Sequence, residues 1–203
     1  MKRKLEYFLE ERKTDIVTAV LRLADRFGIR GITTKRIAEE VGFVEGALYK
    51  HIRSKGEIFS TILDVSEMLI KDQFQQIEAL NLKADAALRQ WLLFAVTYLE
   101  EFPGVYRILF SDELYNENKN LFYKFKDITI FLRETFEAII RRGIKDRIFR
   151  KELNPEVASV LYLGVVHTAF TMWNLLEERK KKFQELATPI FDEFLKTLLT
   201  EVS

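Results

Sequence analysis

The sequence predicts an all-α fold of about nine helices, and three observations carry that prediction. Apolar residues recur with a period near 3.6 along most of the chain. Only 8 glycines and 3 prolines interrupt 203 residues. A composition that is 48% hydrophobic and 31% charged fits a soluble globular protein able to bury a core.

The elements follow in order. From Thr14 to Phe27 a stripe of Ile16, Val17, Val20, Leu21, Leu23 and Ala24 predicts a first helix, with Gly28 as its stop. A second opens after the Thr33-Thr34 pair, either of which caps it, buries Ile37, Ala38 and Val41, and stops at Gly42, where a left-handed residue fits. The turn Phe43-Val44 leads to a third helix over roughly residues 45–52. Two short helices around a glycine turn make a helix-turn-helix.

A fourth helix spans about 55–80, with Ile58, Ile62, Val65, Leu69 and Phe74 among its apolar positions, and a fifth about 84–102. Pro103 suits the first turn of a sixth, running to about Leu114. The patch Asn116 to Asn120 is a loop or a helix start, and the seventh helix runs on to about Arg142, with Gly143 beginning a connector. Asn154-Pro155 marks a cap and a first-turn proline for an eighth helix to about Lys180, and a ninth covers about 184–202. No internal repeat or low-complexity segment is evident.

Composition excludes several function classes. Without cysteine there is no disulfide framework, thiolate zinc site or thiol nucleophile, and two histidines, His51 and His167, do not make a metal centre. With no phosphate-binding glycine loop either, no catalytic constellation is present; the expectation is a protein that is not an enzyme and needs no cofactor. The N-terminal MKRKLEYFLEERK has no apolar core of a secretory signal, which predicts a cytoplasmic location. Residues 1–56 hold 13 Lys/Arg against 8 Asp/Glu, although the whole chain carries only +1. A basic N-terminal segment on an acidic body suggests that one end meets a polyanion.

The stretch from Ile16 to Leu63 resembles the DNA-binding domain of the TetR family of transcriptional repressors. The features that carry the likeness are the first helix ending at Phe27-Gly28, the entry Gly31-Ile32-Thr33-Thr34, Ile37-Ala38, Gly42, the run Gly46-x-Leu48-Tyr49-x-His51-Ile52, and Lys55. The resemblance implies a helix-turn-helix DNA-binding domain over 1–54 and a ligand-binding and dimerisation domain over 55–203. It also implies a homodimeric, ligand-responsive repressor on a palindromic double-stranded operator, released by a small hydrophobic effector. The alternative is a DNA-bound interaction protein that works through a protein partner.

In that setting Gly46 lets the recognition helix approach DNA closely, while Tyr49, His51 and Lys55 present donors to phosphates. Thr34, Lys35 and Arg36 add phosphate contacts at the second helix, and Lys50 has a route to base edges. Ala47 and Val44 stand where the family often has Ser or Thr, removing a polar contact and a cap respectively. Glu45 either accepts from a cytosine amino group or is a repulsive surface residue, the latter being the plainer reading.

Aromatic residues Trp91, Phe94, Tyr98, Phe110, Phe125, Phe131 and Phe170 fall on the fifth to eighth helices. Aromatics at helical spacing are ordinarily core; the resemblance implies a pocket among these helices that they would line. His167 is either a satisfied core or interface histidine or a polar anchor in that pocket. No charge occurs from Val157 to Leu176. That is long enough to cross a bilayer, but a helix buried on both faces reads the same way. The resemblance favours the second, with the two C-terminal helices pairing with those of a twin. The stripe Ile190, Phe191, Phe194, Leu195, Leu198 and Val202 is wider than one monomer's core needs. Lys180-Lys181-Lys182 reads as a solvated helix end.

Overall fold

A computed structural model describes residues 9–175 and 182–200. Among these, ten α-helices and one 3-10 turn occur: α1 Glu11–Phe27, the turn Ile29–Gly31, α2 Thr34–Val41, α3 Glu45–Leu48, α4 Lys55–Ala79, α5 Ala84–Glu101, α6 Pro103–Leu109, α7 Asp112–Glu117, α8 Lys119–Lys145, α9 Pro155–Leu175 and α10 Phe183–Leu198. The all-α expectation holds. The extra helix comes from splitting the expected sixth. Ser111 accepts a hydrogen bond from the Leu114 amide at 3.2 Å and starts α7 as a new helix. Asn118 caps α8 in the same way, its Oδ1 accepting from the Asn120 and Leu121 amides.

Two compact units emerge. The first comprises the chain to Lys71 and Glu101–Ile128; the second comprises Asp72–Glu100 and Thr129 onward. In the first, α1 buries Ile16, Val20, Leu21 and Ala24 against α2 and α6. Gly104 is the closest point of that packing: a Cβ placed there would lie 1.9 Å from the Leu21 carbonyl oxygen. Arg30 forks onto both oxygens of Glu113 at 3.1 Å, and Lys124 pairs with Asp64. Tyr115 donates to the carbonyls of Ile108 (3.1 Å) and Leu109 (2.9 Å), and burial pushes its phenol pKa up.

The second unit centres on Tyr162. This fully buried residue donates to the Leu88 carbonyl at 2.8 Å, and its pKa is raised by burial. Phe136 meets its ring at 4.3 Å and Phe191 at 5.9 Å.

Gly143 does not begin a connector. It lies inside α8, where the Phe149 ring occupies the place of a Cβ (2.2 Å), so the glycine serves close packing. The helix ends two residues after it. Arg147 then takes φ 60°, and the Ile148 and Phe149 amides donate to the Gly143 carbonyl at 2.9 and 3.1 Å.

The ninth expected helix also ends early, at Leu198, because Leu199 forms an antiparallel bridge with Phe149. Within that helix Phe191, Leu195 and Leu198 are buried inside the unit, so half of the supposed surplus stripe is ordinary core. Val202 lies outside the described residues, as do Leu176, Lys180 and Lys181. No described helix is long and apolar enough to cross a membrane.

Gly104→Ala should destabilise the protein by about 3 kcal/mol, because the added methyl overlaps a backbone carbonyl that cannot rotate away. Denaturant unfolding of both forms measures this, and an unchanged midpoint would contradict the α1–α6 contact.

Candidate nucleic-acid interface

The interface is built by what the short helices bury. Thr33 caps α2, its Oγ1 accepting from the Arg36 amide at 3.2 Å. Gly42 ends the helix at φ 81°, a left-handed conformation that favours glycine, and the Phe43 amide closes onto the Ala38 carbonyl at 2.8 Å. Helix α3 is shorter than expected. Its four α-helical residues pass into tight i→i+3 turns, with Lys50 donating to Ala47 (3.2 Å) and His51 to Leu48 (3.0 Å). Leu48 and Ile52 are 0% and 5% exposed and face the core.

Most of the residues around these anchors are exposed. Val44 is 77% and Tyr49 54% exposed, and Glu45, Gly46 and Lys50 are exposed as well, with Ala47 half-buried. A Cβ on Gly46 would meet nothing of this chain within 4 Å, so its smoothness serves no internal packing.

The predicted phosphate donors divide. Lys35 is exposed, whereas Arg36 donates to the Gly31 carbonyl at 3.0 Å and lies 4.6 Å over the Phe27 ring. His51 is half-buried and stacks on Phe43 at 5.6 Å, with the Arg12 guanidinium 5.8 Å from that same ring. Lys55 is exposed along its side chain, with Nζ 3.4 Å from the Ile32 carbonyl. The Thr34 hydroxyl donates to Glu45 Oε1 at 2.5 Å, tying the start of α2 to the start of α3.

Three residues here carry roles beyond those expected. Ser54 accepts from the Glu57 amide (3.2 Å) while the Glu57 carboxylate accepts from the Arg53 amide (2.7 Å), a reciprocal cap on α4. Its signal, Ser-x-x-Glu, stands in the sequence. These bonds occupy two amides that a phosphate at the α4 terminus would otherwise take. Val44 is the third: a large apolar side chain in the open, at a helix start where it supplies no cap.

The eight aromatic and histidine positions expected to line a pocket are not gathered in one unit. Phe110, 48% exposed, and Phe125 meet at 5.7 Å in the first unit. Trp91, Phe94, Tyr98, Phe131, His167 and Phe170 belong to the second. There Phe94 stands between Trp91 and Tyr98, 5.9 Å from each, and Phe131 meets Phe74 at 5.6 Å. Phe170 packs on Trp173 and Phe183. His167 is exposed, so it is not a core histidine of the single chain. Among the described residues no three His, Asp or Glu side chains group to hold a metal ion.

Residues 16–62 match the family model of bacterial regulatory proteins of the tetR family. Among curated relatives, the nucleoid occlusion factor SlmA of Colwellia psychrerythraea is 32% identical over 130 residues, 64% of this chain and 66% of that protein. SlmA of Marinobacter nauticus is 27% identical over 182 residues, 90% and 91% of the two chains. Among solved structures, the ketosteroid regulator KstR2 of Mycobacterium tuberculosis superposes with a TM-score of 0.78 at 16% identity, covering 95% of this chain and 97% of that one. FadR of Bacillus subtilis, in complex with stearoyl-CoA, gives 0.70 at 15% identity over 91% and 98%. At those identities the likeness is one of fold.

Lys55→Ala should weaken binding to all duplexes by similar factors and reduce the slope of log affinity against log salt by about one. Lys50→Ala should change the preferred sequence instead. Fluorescence anisotropy at several salt concentrations separates the two; an unchanged slope for Lys55→Ala with an altered preference would reverse the assignments.

Proposed function

We propose that this chain, which belongs to the tetR family of bacterial regulatory proteins, is a homodimeric repressor that binds a palindromic operator and is released by a small hydrophobic effector. The observation that carries the reading is the outward row Glu45, Gly46, Tyr49 and Lys50 on a helix anchored from behind by Leu48 and Ile52. An exposed side, cationic at Lys35, Lys50 and Lys55, suits a groove lined by phosphates. Of the expected contacts the proposal keeps Lys35, Arg36, Glu45, Gly46, Ala47, Tyr49, Lys50, His51 and Lys55, while the Thr34 hydroxyl is taken by Glu45.

The dimer reading rests on α9. Val157, Val160, Leu161, Gly164, Thr168, Met172 and Leu175 recur at helical spacing and are all exposed. A contiguous uncharged face of this kind marks an association surface, and two-fold pairing through it matches a two-fold operator. The proposed interface is the pair of C-terminal helices, with α9 supplying the exposed apolar face and α10 packed beside it. His167 on α9 is part of that interface in this reading.

The effector reading rests on the aromatic interior of the second unit. There the Trp91 Nε1 donor is buried with no acceptor, which favours an apolar effector carrying one hydrogen-bond acceptor. A fold neighbour in complex with stearoyl-CoA shares with that class only an apolar chain. The effector lowers operator affinity by binding the DNA-free state better, and by linkage operator lowers effector affinity by the same factor. A tenfold effect needs about 1.4 kcal/mol of coupling.

The second reading, a DNA-bound interaction protein, is favoured by the sequence relatives being nucleoid occlusion factors. Mass spectrometry of small molecules retained by natively purified protein, followed by titration of any found against free and operator-bound protein, separates the two. Unequal affinities support the repressor; equal affinities, or no retained molecule together with capture of a protein partner only on DNA, support the second.

Leu161→Lys should leave the monomer's stability within about 0.5 kcal/mol, because the side chain is exposed, yet convert dimer to monomer in light scattering at micromolar concentration. A dimer that survives the substitution would contradict the α9 interface.

A further inference from the structure

The bond between Thr34 and Glu45 is unexplained by the reading above. An exposed carboxylate on a helix meant for DNA faces repulsion from phosphates and, left mobile, would swing away. Here it has a partner: the Thr34 hydroxyl donates to Glu45 Oε1 at 2.5 Å, from a threonine at the first position of α2 that is itself half-buried. A hydroxyl has one proton to donate, so while Thr34 holds Glu45 it is not a phosphate donor. The bond leaves Oε2 as an acceptor-only group on an exposed residue.

Beside it Val44 is 77% exposed, at a position where Ser, Thr, Asp or Asn would have capped α3. The chain thus places a held acceptor and a bare apolar group next to each other on the outward side. In the major groove an acceptor-only carboxylate finds its match in the cytosine N4 amino group, and an apolar side chain finds the thymine 5-methyl. The same carboxylate against the acceptors O6 and N7 of guanine is unpaired and repelled, so it discriminates as well as binds.

We propose that Thr34 is a positioning residue that aims Glu45 at a cytosine amino group in each half-site, and that Val44 reads an adjacent thymine methyl. The proposal rests on the operator-binding function above and adds the sequence that is read.

The test is selection from a library of random-sequence duplexes, using the full chain as wild type and as Thr34→Val, Thr34→Ser, Glu45→Gln and Val44→Ala. Thermal unfolding establishes that each variant folds. The wild type should yield a two-fold consensus with a strongly preferred cytosine beside a thymine. Glu45→Gln should move the preference at the cytosine toward adenine, whose N6 and N7 suit an amide, by on the order of tenfold. Thr34→Val should blur that position alone, Thr34→Ser should restore it, and Val44→Ala should relax only the thymine. A clear wild-type consensus that Glu45→Gln and Thr34→Val leave unchanged overturns this inference while leaving operator binding intact. A wild type that selects no consensus overturns both.

Discussion

A single turn of helix is not stable alone, because the first turn fixes several dihedrals for little hydrogen bonding in return. Helix α3 has four α-helical residues, no side-chain cap at Val44 and a glycine among its four. What holds it is the burial of Leu48 and, one turn later, Ile52. Loss of a buried leucine costs about 2–5 kcal/mol, a large part of the 5–15 kcal/mol typical of a folded domain. The exposed residues of α3 are therefore free to be chosen for something other than folding. Gly46 within the helix and the uncapped start at Val44 each disfavour it, and the anchors make them tolerable.

The anchors depend in turn on the layer behind them. Helix α3 packs on α2, α2 packs on α1 with Ile37 buried, and α1 is held by α6 at the Gly104 contact. The ion pairs of this unit matter less. Arg30 and Glu113 are 86% and 42% exposed, so their fork is worth about 0–1 kcal/mol at most. Packing, not charge, joins α6 to α1, and residues 101–128 belong with the N-terminal helices in one unit.

Much of this was legible in the sequence, because periodicity and punctuation act locally. The glycine stop at Gly42, the Thr33 cap and the Asn154 cap, whose Oδ1 accepts from the Val157 amide, follow from nearest neighbours. The misreadings share a different cause. Gly143 reads as a stop because a glycine filled by a ring six residues on has no local signature. The shortened α10 depends on a bridge to Phe149, fifty residues earlier in the chain. The C-terminal stripe reads as surplus because a sequence does not say how much core it must cover. Likewise helical spacing placed the aromatics on one set of helices but could not assign Phe110 and Phe125 to a different unit from Trp91 and Phe94. The Thr34–Glu45 bond joins two elements across a turn, and composition gives no hint of it.

The central claim is that the outward side of α2, α3 and the start of α4 is a DNA surface. Amide hydrogen exchange of the full chain, free and saturated with duplex DNA at low salt, tests it most directly. The account predicts slowed exchange over Thr34–Arg36 and Glu45–Lys55. Protection confined to other segments, with these two unchanged by DNA, would contradict it.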